Sequence, residues 1–503
     1  MVSHISTIAL NGIQATTVDV QVQVSSGMTS FQIVGLPNNT VKESRERIRG
    51  AFHSLGISIP AKRITINLAP ADILKEGSHY DLPIAIALMC ELGIIPKDVQ
   101  ETSLFMGEIS LDGTLYAVTG CLLAALHGSR IKKENIFVPE ANANEASWGG
   151  DINIYGVKNL HQLLQHLKGE VVLHTQPVPD ISQEKQDDHL DFRDVKGQET
   201  AKRVAEIAAS GGHNILFKGV PGAGKSMIAQ RLAGILPPLV AEESLEVSMV
   251  HSVAGLLDET GLVKRRPFRN PHQSASAVAL CGGGLKAKPG EMSLAHRGVL
   301  FLDELPEFPR QVLETLRQPL ESGTITVARA NHHTTYPARF QLIAAMNPCP
   351  CGYLGHPSIT CSCSQKQIQN YTARLSGPLM DRIDLHLDIS VVSASELTLP
   401  SPKEGTKEIA ERVSAARKIQ QERYKGTPYT CNAEVDGRYL EKAVELDDDS
   451  KKLLTSAIEK FSLSARGYHR VLKVARTIAD LNKHSNVTKG DIAESLAYRY
   501  IAH

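Results

Sequence analysis

The sequence predicts an α/β protein in three parts: an α+β domain, a parallel-sheet α/β domain and a helical C-terminal domain. Three observations predict it. A strand-like run, a glycine-rich loop and a helix-like run follow one another over Asn214–Leu236. A second buried-strand run, Val299–Leu302, ends in two carboxylates. From about Ser393 onward, helical periodicity takes over. The 503 residues suffice for two or three ordinary domains. With 42% hydrophobic and 21% charged residues the composition is globular, which excludes collagen-like, low-complexity and disordered chains. Basic and acidic residues balance at 54 each, so no global field points to nucleic acid or membrane, and any basic patch must be local.

In the first part, strand-like runs (Val18–Val24, Ser30–Val34, Arg63–Leu68) alternate with helical ones (Val41–Leu55, Leu82–Leu92). The polar stretch His174–His189 carries two prolines and no apolar period, and reads as a linker. In the last part Val471, Val474, Ala475, Ile478 and Leu481 form one apolar stripe, and Thr488 with Asp491 makes a capping box before a final helix. The expected boundaries are 1–173, a linker at 174–190, 191–392 and 393–503. The opening residues do not read as a signal peptide, and the longest apolar runs fall far short of a membrane span. A soluble cytoplasmic protein with no membrane partner is expected.

The chemistry concentrates in the second part. In Gly219-Val-Pro-Gly222-Ala-Gly224-Lys225-Ser226 a strand delivers the loop, glycines let backbone N–H groups converge on an anion, and a helix N-terminus follows. Lys225 would reach the β- and γ-phosphates of ATP, and the Ser226 hydroxyl would sit on Mg²⁺. At the end of Val299–Leu302, Asp303 would hold Mg²⁺ and Glu304 would polarise the attacking water. The strand run Phe340–Ala345 leads to Asn347, whose amide would help position that water. Arg382, in Gly377-Pro-Leu-Met-Asp381-Arg382-Ile-Asp384, suits the charge on a transferring phosphoryl group and is often supplied by a neighbouring subunit. The competing reading is an ion pair with Asp381 or Asp384. Arg466, at the start of a long helix, would face the nucleotide from the last domain, with Arg470 one turn later as competitor.

Cys349, Cys351, Cys361 and Cys363 crowd into one loop after Asn347. Four thiols so close suit a tetrahedral structural Zn²⁺, although Cys-x-Cys is tighter than the usual spacing, and unmetallated cysteines are the alternative. His356 is a possible substitute ligand. Disulfides do not suit a reduced cytoplasm.

In this order the pieces resemble an AAA+ P-loop ATPase of the magnesium-chelatase-like group, specifically the YifB/ComM family, over nearly the whole chain. The carriers are SHISTIALNGI, GLPNNTVKESRERIRGA, LAPADILKEGSHYDLPIA, FRDVKGQ, RNPHQSAS, FLDELPEF, AAMNPCPCG and GPLMDRIDLH. The resemblance implies a homo-hexameric, ATP-driven motor that migrates branched DNA in natural transformation, with a C-terminal helical lid. It implies that Val195 packs on adenine. A hairpin around Asn331-His332-His333 would project into a central pore, and single-stranded DNA would meet Asn331 and His332. Met249–His296 is similar to the helix-2 insert of that group; its cations Lys264, Arg265, Arg266, Arg269, Lys286 and Lys288 would meet DNA phosphates or simply be solvated. The first domain resembles the Lon-protease and ribosomal-protein-S5-like fold. Its serine position falls on His79, or on Ser78 if the alignment slips, and its lysine position on Leu122. A serine without an activating base is no nucleophile, so a non-proteolytic platform is expected. Lys42, Arg45, Arg47 and Arg49 are candidate DNA contacts there, or a solvated helix face.

Three other functions stay open: a magnesium-chelatase motor subunit remodelling a protein partner, an ATP-dependent protease, and a nucleotide-binding scaffold without turnover.

Overall fold

The computed structural model describes residues 2–179, 190–284, 287–329, 332–398, 400, 402–461 and 463–499. Most of the expected linker, Lys286 and Asn331 lie outside the described residues, and of His332 only the backbone is described. Contacts divide the chain into two compact units: Met1–Lys185 with Val240–Lys264, and Gln186–Leu239 with Arg265–His503. The helical C-terminal part shares its unit with the parallel sheet.

The first unit is built on seven strands: β1 (Ser3–Asn11), β2 (Gln14–Ser25), β3 (Ser30–Val34), β4 (Arg63–Ala69), β5 (Ser103–Phe105) and, beyond a short hairpin of β6 (Glu108–Ile109) with β7 (Leu115–Tyr116), β8 (Asn135–Pro139) and β9 (Asn153–Val157). Their order is β3-β4-β2-β1-β5-β8-β9. The β1–β2 and β2–β4 pairs are antiparallel, whereas β5, β8 and β9 run parallel. Alternation buries Val18, Val20 and Val22 of β2 beneath the helix Asp81–Glu91, which is apolar all round and buried from Asp81 to Cys90. The helix Asn39–Ser54 starts where the Asn38 side chain accepts the Val41 N–H at 3.0 Å.

Segment 240–264 belongs to this unit although it interrupts the second. Its helix, Ala241–Ala254, packs on the helix Cys121–Arg130. Polar contacts fix it: Ser252 donates to the buried Glu145 carboxylate, Asn144 to the Glu259 carbonyl at 2.7 Å and the Trp148 indole to the Thr260 carbonyl at 3.0 Å. The insert expected at Met249–His296 is therefore shared between the units, because its first half finds its polar partners in the first one.

In the second unit β10 (Ile215–Gly219), β11 (Phe268–Arg269), β14 (Val299–Leu302), β17 (Gln341–Met346) and β18 (Leu385–Ile389) form a sheet in the order β11-β14-β17-β10-β18, with every pair parallel. The strands β14 and β17 are buried throughout, as the central strands of a doubly covered parallel sheet must be. Two hairpins accompany it: β12 (Gly282–Gly283) with β13 (Lys288–Pro289), and β15 (Thr324–Arg329) with β16 (His332–Pro337). The last helices are Thr406–Arg423, Gly437–Ala443, Asp448–Phe461, Ala465–Leu481 and Lys489–Ala497. Val474 and Ile478, from the expected stripe, join the sheet's own core, while Val471 and Ala475 face the other helices. Thr488 and Asp491 form the expected capping box.

Candidate functional site

Parallel topology brings the ends of β10, β14 and β17 to one edge of the sheet, where such folds place their ligands. After β10 the loop turns on Gly222 and Gly224, both left-handed at φ 78° and 89°, which a side chain would resist. The helix Lys225–Ile235 begins immediately afterwards, so its unpaired N–H groups face the loop. Gly219 closes the strand against β18: a Cβ there would lie 2.4 Å from the Ile389 carbonyl oxygen.

Lys225 is buried, and its Nζ donates to the carbonyls of Gly219 (2.7 Å) and Val220 (3.0 Å) and to Asn347 Oδ1 (3.1 Å). Burial pushes its pKa down, opposed by the charges of Asp303 and Glu304. Ser226 Oγ donates to Asp303 Oδ2 at 2.7 Å, and the other Asp303 oxygen accepts the Glu304 N–H at 2.9 Å. Glu304 is exposed and left-handed at φ 51°, a conformation that costs a non-glycine residue free energy and that clusters where function requires it. The structure thus brings Gly219, Gly222, Gly224, Lys225, Ser226, Asp303, Glu304 and Asn347 together. A hydroxyl and a carboxylate converging at 2.7 Å suit a hard divalent cation. Val195 is buried in the adjoining core with Phe192, Ala201 and Val220.

The four expected cysteines also converge, their Sγ atoms all within 4.8 Å of one another. Cys349 lies 3.4 Å from Cys351 and 3.6 Å from Cys361, close to the roughly 3.8 Å between ligands of a tetrahedral Zn–thiolate site. Backbone N–H groups of Tyr353 and Ser362 hold the Cys351 thiol down to about 6, so the anionic ligand form is accessible. His356 is not a member of this cluster: its Nδ1 accepts the N–H groups of Ser358 and Ile359, both at 3.0 Å. The loop presses on the phosphate loop, since a Cβ on Gly352 would lie 2.7 Å from Pro221 Cγ.

The arginines separate. Arg382 is buried and bonds neither Asp381 nor Asp384; it donates to the Pro378 carbonyl at 2.6 Å and to Glu321 Oε2 at 2.5 Å. Asp384 is instead taken by Arg470 and by the Asn214 N–H. Burial pushes the Asp384 carboxyl up, but Arg470 and His213 outweigh it and hold it well below the usual range. Arg470 is thus committed to structure. Arg466 is exposed, and its charge acts on Glu321.

Among the six cations of the insert expected to meet DNA, Arg266 and Arg269 have internal partners. Arg269 makes a two-pronged pair with Glu291 (2.6 and 2.9 Å), and Arg266 donates to the carbonyls of Pro237 and Arg297, both at 2.6 Å. Lys264 is half-buried and Arg265 exposed. In the first unit Arg47 is held by the buried Asp81 at 2.6 Å, which removes it from any free basic face. His79 is a core residue, 6% exposed, bonded to the Ile8 carbonyl at 3.0 Å and pushed down by burial to about 4. Ser78 donates to Glu108, and Leu122 is fully buried.

Sequence reasoning missed Glu321, Glu145, Ser252 and Trp148; no motif marks them, because each acquires its partner only through the fold. Among the described residues no helix is long and apolar enough to cross a membrane.

Comparison with known proteins follows this geometry. Residues 191–397 match the family described as magnesium chelatase, subunit ChlI; residues 20–142 match subunit ChlI of Mg-chelatase, and residues 403–499 its C-terminal family. The chain is 43% identical to the competence protein ComM of Haemophilus influenzae over 493 residues, covering 97% of this chain and 95% of that one. It is 41% identical to YifB of Escherichia coli over 504 residues, covering 99% and 97%. A chloroplastic magnesium-chelatase subunit ChlI from Glycine max is 23% identical over 374 residues, covering 68% and 82%.

Proposed function

We propose, since this chain belongs to the magnesium-chelatase-like AAA+ family of ComM and YifB, that it is an ATP-hydrolysing ring motor that moves along single-stranded and branched DNA. The observation that carries the ATPase half is the convergence of Lys225, Ser226, Asp303, Glu304 and Asn347 at one sheet edge. Lys225 exchanges its carbonyl and amide bonds for the β- and γ-phosphates of ATP. Ser226 and Asp303 would hold Mg²⁺, which would supply neutralisation of the charge on those phosphates. Glu304 takes the proton of the attacking water, and Asn347 orients that water beside the γ-phosphate. Arg382, paired with Glu321, acts on the nucleotide of a neighbouring copy in a hexamer, and Arg466, whose charge also acts on Glu321, faces the nucleotide from the helical lid. The four cysteines would hold a structural Zn²⁺, whose role with four protein ligands would be to brace the loop rather than to catalyse.

The DNA half is supported by the kinship with a competence protein and by the β15–β16 hairpin ahead of the sensor strand β17. The first unit, read as a Lon/S5-like fold, is a non-proteolytic platform. His79 and Leu122 stand in the core where a serine and its activating lysine would be needed, so no serine–lysine pair forms at those positions.

A second reading, a chelatase-type motor remodelling a protein partner, is favoured by the match of 191–397 to a magnesium-chelatase subunit. ATP-driven migration of a synthetic three-strand DNA junction separates the two, with Glu304→Gln as control. Migration by the native chain alone supports the DNA motor. Vigorous ATP hydrolysis indifferent to every DNA, with no migration, selects the protein-remodelling reading.

A further inference from the structure

Arg382 is reached only through another side chain. Its own side chain is 9% exposed, and its guanidinium donates to the Pro378 carbonyl at 2.6 Å and to Glu321 at 2.5 Å. Glu321, in contrast, is 62% exposed. The carboxylate is therefore the outer partner and the guanidinium the inner one. The hydrogen bond and charge of Arg382 hold the Glu321 carboxyl below its ordinary range, and Arg466 and Arg317 add to the same field. An anionic group within the field of three guanidiniums occupies the kind of place a phosphate takes, because the guanidinium fork binds carboxylate and phosphate alike.

We propose that Glu321 is a displaceable cap on Arg382: in the free subunit it holds the place that the γ-phosphate of a neighbouring copy takes, and it must leave before Arg382 can act. The inference rests on the reading of Arg382 given above and adds to it a positioning residue and a means of control. Glu321 stands one residue before the end of the helix Arg317–Ser322, and β15 starts at Thr324. Between them Gly323 is left-handed at φ 67°, and a Cβ there would lie 2.6 Å from Arg339 Cγ. Hydrogen bonds tie this junction on both sides: Ser322 Oγ lies 3.0 Å from the Gln318 carbonyl and 3.2 Å from that of Thr324, and the Ala338 N–H donates to the Gly323 carbonyl at 2.8 Å. Movement at the base of the β15–β16 hairpin is thus passed to Glu321, so that strand engagement by the hairpin uncaps the arginine. The pair suits a switch rather than a lock, since the guanidinium keeps the Pro378 carbonyl as an acceptor when the exposed carboxylate leaves and a phosphate can take that carboxylate's place.

The test measures steady-state ATP turnover of the full chain in assembled rings, with and without a single-stranded oligonucleotide, for the native protein, Glu321→Gln, Arg382→Ala and the double variant. Ring assembly is verified by light scattering, and binding of a fluorescent ATP analogue verifies the fold. Glu321→Gln is expected to raise the DNA-free rate about fivefold, to shrink DNA stimulation by the same factor, and to have no effect when Arg382 is already Ala. Glu321→Asp, which keeps the charge but shortens the reach, gives a smaller rise and serves if the Gln variant does not assemble. An unchanged or lowered DNA-free rate in assembled Glu321→Gln rings overturns the cap. Normal hydrolysis by assembled Arg382→Ala rings is a different failure, which removes the underlying reading of Arg382.

Discussion

A single methyl group added at Gly352 should weaken ATP binding although Gly352 lies outside the phosphate loop itself. The residue is left-handed at φ 85°, and a Cβ there would sit 2.7 Å from Pro221 Cγ and 2.9 Å from Cδ, where ordinary contact begins near 3.4 Å. Pro221 cannot rotate away, because its ring is tied to the backbone. Something must therefore shift by more than half an ångström, and the cysteine loop, once its four thiols hold a metal, has little freedom to retreat. The displacement falls on the phosphate loop, next to the Gly219 and Val220 carbonyls that hold Lys225. Alanine in the left-handed region costs about 1–2 kcal/mol and overpacking about 1–3 kcal/mol. Gly355→Ala isolates the first cost: its φ is 80°, and its Cβ would meet nothing within 4 Å. The difference between the two variants is thus the contact alone. If about 1.4 kcal/mol of it reaches the nucleotide site, Gly352→Ala binds a fluorescent ATP analogue about tenfold more weakly than Gly355→Ala. Equal affinities in the two variants would refute the claim that this loop supports the phosphate loop. Removing the metal should shrink the difference, since the loop can then yield.

Three further outcomes are expected. The purified protein should carry about one zinc per chain by elemental analysis, and chelation or Cys351→Ser should lower both the melting temperature and ATP turnover. Gly261→Ala places a Cβ 2.4 Å from the Glu145 backbone at φ 70° and should dislodge segment 240–264 from the first unit at a cost of about 3 kcal/mol, read as a red shift of the single tryptophan, Trp148. His79 is a base whose folded pKa, about 4, lies below its ordinary 6.5, so the unfolded chain binds the proton first; the stability tied to it is complete above pH 6.5 and lost as pH falls toward 4, about 3 kcal/mol in all. The urea midpoint followed by Trp148 fluorescence should therefore fall over that window, and His79→Gln should flatten the slope by close to one proton.

Much of the phosphate site was legible because its chemistry is local. The glycines, Lys225 and Ser226 adjoin in sequence, and Asp303 and Asn347 announce themselves as polar residues ending apolar strands. Parallel pairing then brings those ends together whatever the loops between them do. The helical stripe through Val474 and Ile478 was legible for the same reason, since a 3.6-residue period states which face is buried but not against what. The placement of segment 240–264 shows that limit. Nothing in the local pattern of Ala241–Ala254 reveals that its Ser252 will meet Glu145, more than a hundred residues earlier, or that Trp148 and Asn144 will reach the backbone carbonyls beyond that helix.

Arg382 shows the same limit at the scale of one side chain. In sequence it stands between Asp381 and Asp384, and either looks like a natural ion-pair partner. In the fold, Asp384 turns into the core, where Arg470, His213 and the Asn214 N–H compete for it. Asp381 closes the short helix Gly377–Met380 and leads into the turn before β18. Arg382 then satisfies its guanidinium on the Pro378 carbonyl, one helical turn back, and on Glu321, from a separate helix. A buried cation takes whichever acceptors the backbone places within reach, and sequence neighbours receive no preference. That is why an ion pair was foreseeable from composition while its partner was not. The partner is also the more informative fact: paired to its neighbours, Arg382 would be a local brace, whereas paired to Glu321 it answers to the helix from which the β15–β16 hairpin springs.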